Sequence, residues 1–208
     1  MGYELDSIEK QCYTPNMRIK IGDMMFNNAK LGELILYVSQ LCEKDRKFGA
    51  TKLNKILFYC DFLSYLNYGK AITEDEYQAI EKGPAPKHLI PIREKLIEEE
   101  ALAIKNANYY GFVQNRTVAL RDPDLSLFTP QEIDLVNRIV HELCDHDGRS
   151  VSKLSHMFSG YMVASENEII PYETALLDFD SPTEEMIKYG RSLENFAKSC
   201  LNKEYGDS

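Results

Sequence analysis

The apolar positions of the chain change period several times, and each change marks an element. Leu31, Leu34, Ile35, Val38, Leu41 and Cys42 recur at the spacing of one helix face. Asn27-Asn28 offers a cap for that helix, and the charged run EKDRKFGA ends it near residue 44. In the next segment, TKLNKILFYCDFLSYLNYGK, Leu53, Ile56, Leu57, Cys60 and Leu63 make one stripe, and Phe58, Phe62, Tyr65 and Leu66 make a second. A helix apolar on most of its sides is surrounded by other elements. This segment, capped by Thr51 and stopped by Gly69, is therefore the expected central helix. Tyr59, Tyr65 and Tyr68 are expected half-buried with paired hydroxyls. Asp61 is a carboxylate inside the apolar run, so it must be exposed, paired or capping backbone amides.

In AITEDEYQAIEKGPAP, Thr73 followed by acids predicts a short helix that Gly83-Pro84 closes. A further helix restarts near Pro86, with Leu89, Ile92, Leu96 and Ile97 on its buried side. The period then becomes two. LAIKNANYYGFVQNRTVALRD reads as strand, turn, strand, with the turn at Asn106–Asn108 or Gln114–Arg116. Thr129-Pro130-Gln131-Glu132 opens another helix with Glu132 as capping-box partner, and Ile133, Val136, Ile139, Val140 and Leu143 form its stripe. A short helix over Ser150–Phe158, a loop and a helical turn follow. From Ser181 a last helix carries Met186, Tyr189, Leu193, Phe196, Ala197 and Cys200 on one face. Residues 1–26 show no period beyond a short strand at Met17–Ile21. The expected fold is mostly α, one compact domain of about six or seven helices with a small antiparallel β-hairpin. Its parts are an N-terminal extension (1–26), the helical domain (27–180) and a C-terminal helix lying on it (181–208).

Composition narrows the functional classes. The chain of 208 residues is 44% hydrophobic and 27% charged, a globular balance. No run approaches the ~20 apolar residues of a membrane span, so no membrane partner is expected. The N-terminus lacks the apolar core of a secretion signal. Five scattered cysteines without a CxxC pair predict reduced thiols and a cytoplasmic location. A net charge of −9 removes the general attraction to phosphate and favours a basic protein partner.

Searching for chemistry returns little. Ser155-His156 is adjacent in sequence, but neighbours on a helix point apart, and no GxSxG elbow exists. In HELCDHDG, Asp145 stands where a zincin would place its second histidine. That string is expected to be a polar helix end over a buried Cys144. No catalytic residue, metal ligand or cofactor is expected. The helix PIREKLIEEEALAI with the following hairpin resembles the end of a winged-helix module. Glu94 and Glu98–Glu100 make the helix acidic, whereas Lys105, Arg116 and Arg121 make the wing basic. DNA is only weakly expected as a partner.

One ordered combination is more specific. Lys52, Leu53, Lys55, Ile56 and Tyr59 are followed by Tyr68-Gly69-Lys70, then Gly83-Pro84, then Ser155-His156 and Ile170-Pro171-Tyr172. Over roughly residues 28–180 this resembles the Panacea antitoxin-domain family, also called SocA-like or phage-associated GepA-like proteins. The resemblance implies a helical domain, of bacterial or prophage origin, that binds and neutralises a protein toxin from an adjacent gene, with no catalytic residues. A related mode is an adaptor that delivers its bound protein to a protease. The expected partner surface is the Gly83–Pro86 corner and its surroundings: Asp61, Tyr65, Tyr77, Gly83, Pro84 and His156. Oligomeric state is not legible.

Overall fold

The computed structural model describes residues 28–177. The expected strand at Met17–Ile21, the N-terminal extension and the helix from Ser181 lie outside the described residues.

The first two helices form where the periodicity puts them: α1 spans Asn28–Leu41 and α2 spans Ala50–Tyr68. Gly69 ends α2 in the left-handed region at φ 71°, its amide donating to the Tyr65 carbonyl. The start of α2 differs from expectation. Gly49 is the cap and makes no side-chain cap bond, while Thr51 lies inside the helix.

Residues 73–86 contain no helix. Tyr77–Ile80 is a strand (β1), Glu81-Lys82 a two-residue turn, and Gly83–Pro86 a second strand (β2) paired antiparallel with it. The short alternation in YQAI outweighed the acid-led helix start: Tyr77 and Ala79 point inward, Gln78 and Ile80 less so. The prolines fit because β2 is an edge, the sheet order being β2-β1-β5 with β5 at Ile169–Ile170. Lys87 donates its amide to the Glu76 carbonyl. By alternation Ala85 also faces β1, and the donor-less nitrogens of Pro84 and Pro86 face away from it.

Helix α3 covers Leu89–Glu98 and buries Leu89, Ile92 and Leu96 as expected, but Ile97 is exposed. The second hairpin joins β3 (Leu102–Tyr109) to β4 (Phe112–Ala119). Its turn is Tyr110-Gly111, at φ 49° and 83°, rather than either sequence candidate. The turn that best matches strand twist needs positive φ at both central residues, and Gly111 supplies one without strain. Helix α4 (Pro130–Glu142) has the expected capping box between Thr129 and Glu132. Then come α5 (Gly148–His156), the short α6 (Ser159–Val163), β5, and a 3-10 turn over Tyr172–Leu177. Predominantly helical describes the molecule; two small antiparallel sheets make it mixed rather than all-α. No helix among the described residues is long and apolar enough to cross a membrane.

Helix α2 divides two cores. One of its faces meets Leu34, Val38, Leu135, Val136 and Ile139 from α1 and α4, with Leu89, Ile92 and Leu96 from α3. Its other face is aromatic: Phe58, Phe62 and Tyr65 cluster with Tyr77 and Tyr172. Phe58 and Phe62 lie 4.4 Å apart between centroids, and Phe62 meets Tyr77 edge-on at 5.4 Å. Of the expected stripe, only Leu63 is partly rather than fully buried.

Leu57 is completely buried. Leu57→Ala is expected to reduce stability by about 2–5 kcal/mol, through lost transfer energy plus a cavity. Exposed Ile97→Ala should stay within about 0.5 kcal/mol. Urea denaturation checks both, and an unchanged midpoint for Leu57→Ala would contradict the placement of α2.

Candidate functional site

Three charged side chains of α2 are buried where an apolar helix would normally carry none. Lys52 and Lys55 are each 1% exposed and Asp61 is fully enclosed. Each is held by backbone or side chains of a different segment. The Lys52 ammonium donates to Asp45 Oδ2 at 2.6 Å and to the carbonyls of His146 and Cys144 at 2.7 and 3.3 Å. It ties the α1–α2 loop to the α4–α5 loop. Lys55 Nζ donates to the Pro84 carbonyl at 2.7 Å. That carbonyl faces away from β1, so Lys55 satisfies the exposed edge of the hairpin from behind. Burial without a counter-charge pulls the Lys55 amine down to about 7.

Asp61 accepts three donors: the Thr73 amide at 2.7 Å, the Thr73 hydroxyl, and the Tyr77 hydroxyl at 2.7 Å. Burial pushes its carboxyl up to about 6, and the donors from Thr73 and Tyr77 oppose that rise. At neutral pH the carboxylate form prevails and fixes the entry into β1. Beside it, buried Asp75 takes His88 Nδ1 at 2.5 Å and the His88 amide at 3.2 Å, while Tyr172 donates to the Asp75 carbonyl. The sheet thus hangs on α2 at one end and on α3 and the Tyr172 turn at the other.

Gly83 is where α5 comes closest to the hairpin. It sits at φ 91°, and a Cβ there would lie 2.5 Å from Ser155 Oγ, 2.8 Å from Lys55 Nζ and 2.9 Å from the His156 ring. Both the backbone and the space require glycine. On the outer side of this contact a groove opens, lined by Ala79, Ile80 and Glu81 of β1 and its turn, His156 of α5, Tyr161 and Met162 of α6, and Ala164 and Glu166 beyond it. His156 stacks on Tyr161 at 4.7 Å, nearly parallel, and its buried Nε2 has no hydrogen-bond partner. The Tyr161 hydroxyl donates to the Ile80 carbonyl at 2.9 Å. Met162 in the groove is 63% exposed, and Met157 and Val163, close to it in sequence, are 71% and 76% exposed.

Of the six residues expected at the partner surface, only His156 lines this groove. Asp61, Tyr77, Gly83 and Pro84 are buried, and Tyr65 is 9% exposed and stacked on Tyr172. The corner does not display its carbonyls, because Lys55 occupies that of Pro84. These residues shape and brace the surface rather than form it. Sequence reasoning missed Tyr161, Met162 and Glu166, which carry no motif, and missed the clamp role of Lys52 and Lys55. Two lysines one turn apart in an apolar stretch were the available signal.

The His141–Asp147 string also differs from expectation. Cys144 is exposed, and Asp147 caps α5 through the Ser150 amide. No group of three or more histidine, cysteine, aspartate or glutamate side chains among the described residues is arranged to hold a metal ion. A second groove, between α1 and β4, has most of its polar groups matched: Arg121 forks onto Glu33 at 2.6 and 2.8 Å, Gln40 donates to Asp122, and Ser39 bonds Thr117. The wing arginines are therefore occupied within the fold, Arg116 by the Cys42 and Glu43 carbonyls.

The family model for the antitoxin SocA-like Panacea domain matches residues 53–160, from α2 into α6. No curated protein and no solved structure matches the chain.

The opposite pKa shifts give a pH signature. Lys55 titrates lower when folded, so its stabilising contribution is complete above about 10.5 and is lost as pH falls through about 7. Asp61 titrates higher when folded, so its contribution is complete below 3.8 and is lost as pH rises through about 6. Stability should therefore rise between pH 7 and 9, and Lys55→Met should flatten that limb. Denaturation at several pH values checks this; equal slopes in both proteins would contradict a buried, uncompensated Lys55.

Proposed function

The chain belongs to the SocA-like Panacea antitoxin-domain family, and on that premise we propose that it is a non-enzymatic binding protein that neutralises a protein toxin in the cytoplasm. Membership makes the domain antitoxin-like; the toxin and its neutralisation are the step beyond. The observation that carries the reading is the braced groove, together with the exposed apolar side chains Met157, Met162 and Val163 at α6 and just before it. An apolar surface of this kind is a place for a protein to dock. The buried clamps on α2 keep its walls fixed, so little freedom is lost on binding.

Other features agree. The net charge of −9 suits a basic partner. Catalysis by Ser155 would need a base within reach, yet its hydroxyl donates to the Ser152 carbonyl and is fully buried. DNA reading finds little support, because α3 runs out into the acidic Glu98–Glu100 and Arg116 and Arg121 are engaged within the protein.

Two measurements test this. Each open reading frame flanking the gene is expressed with and without this chain. One product should arrest growth alone and be tolerated with the chain present. Failure of every flanking product to be neutralised would count against the antitoxin reading. The purified protein should also show no salt-dependent complex with its own promoter duplex; a nanomolar one would favour regulation of transcription.

A further inference from the structure

The groove beside α6 has a definite chemistry. Its walls are apolar at Ala79, Met162 and Ala164. Its charged members are Glu81 and Glu166, both exposed, and neither has a cationic partner among the described residues. Other exposed acids, such as Glu43, Glu94 and Glu98, also form no ion pair among the described residues, but Glu81 and Glu166 share the lining of one groove. Lys82 and Lys153 are nearby in sequence but stand outside the lining. A buried polar atom of the lining residue His156, Nε2, also lacks a partner. An apolar floor flanked by two unmatched carboxylates suits one kind of occupant: an aliphatic side chain with lysine or arginine on either side. The aliphatic group covers exposed Met162, and the cations reach the carboxylates at the rim, where charge complementarity sets orientation and association rate.

We propose that the groove between β1 and α6 receives a basic, aliphatic-anchored segment of the partner protein, with Glu81 and Glu166 as its charge contacts and Met162 as its apolar floor. This rests on the partner-binding reading and names the partner's chemistry. His156 is a positioning residue here. Its ring holds Tyr161 by stacking, and Tyr161 in turn holds the Ile80 carbonyl. Gly83 allows that wall to approach the hairpin.

The test uses the full chain, labelled with nitrogen-15, and two synthetic peptides: leucines at i and i+4 on a lysine background, and the same leucines on a glutamate background. The lysine peptide should bind saturably and shift amides of Ile80, Glu81, His156, Met162 and Glu166. The glutamate peptide should not. Glu81→Gln with Glu166→Gln should weaken lysine-peptide binding about tenfold, and Met162→Asp should abolish it. Glu94→Gln with Glu98→Gln, on α3, should leave it unchanged. No saturable binding, shifts centred on α3, or equal affinity for the Glu81/Glu166 variant would overturn the proposal. So would sedimentation showing a dimer whose formation shifts the same amides, since that would give the groove to a second copy. Co-expression separates the two readings. If the chain neutralises a flanking toxin and Glu81→Lys with Glu166→Lys neutralises it equally, the groove assignment falls and the antitoxin reading stands. If no flanking product is neutralised but the lysine peptide binds in the groove, the antitoxin reading falls and the groove chemistry stands.

Discussion

A helix enclosed on nearly every side has no room for an unmatched charge, and α2 encloses three ionisable side chains. Leaving an ion unpaired in such a place costs several kcal/mol. All three reach groups outside the helix, namely two loops, the edge of a hairpin and the entry to a strand. Lys52 meets the constraint with the Asp45 carboxylate and Asp61 with three donors, whereas Lys55 has only the neutral Pro84 carbonyl and its amine is drawn down to about 7. The arrangement is directional in a way that apolar contact is not. A leucine in place of Lys55 would fill space, but it would leave the Pro84 carbonyl without a donor. The buried polar groups fix where the hairpin lies, and the apolar residues supply most of the energy that holds α2 among α1, α3 and α4.

From that constraint the path to the surface is short. Lys55 and Asp61 place β1 and β2, Gly83 lets α5 close on the turn, and His156 then stacks on Tyr161. Tyr161 ends on the Ile80 carbonyl, so the groove is walled on one side by the hairpin and on the other by α5 and α6. The family-matched span, 53–160, contains Lys55, Asp61, Ile80, Gly83 and His156 and ends at Gly160, one residue before Tyr161. The exposed methionines lie on a support that is rigid for identifiable reasons. Methionine adapts its shape to what it meets, and adaptable side chains on a fixed frame fit a domain that binds a protein.

Much of the helical frame was legible in the sequence. The stripes of α1, α2 and α4 report most of their buried faces, though Leu41 is exposed, Ile133 and Val140 are only partly buried, and buried Leu135 stood outside the α4 stripe. The Thr129–Glu132 capping box is a local signal with a local outcome. The hairpin at 77–86 was not legible, because four-residue strands carry too short an alternation to outweigh acids after Thr73. Two prolines argued for a corner, and only the sheet order shows that an edge strand accommodates them. The candidate site divided the same way. Asp61, Tyr77, Gly83 and Pro84 were distinctive because they are braces, and distinctiveness was read as display. Tyr161, Met162 and Glu166 lie on the surface, where sequence pattern constrains little.

The claim that α2 positions the hairpin through buried polar contacts is tested most directly by hydrogen exchange in Asp61→Asn. The substitution keeps size and shape but removes the charge and turns one of the two acceptor oxygens into a donor, so the Thr73 amide and the Thr73 and Tyr77 hydroxyls can no longer all donate to it. Segment-resolved exchange should show amides of residues 73–86 losing protection while those of α1 and α4 keep theirs. Equal loss of protection across α1, α4 and the hairpin, or no loss anywhere, would contradict the account.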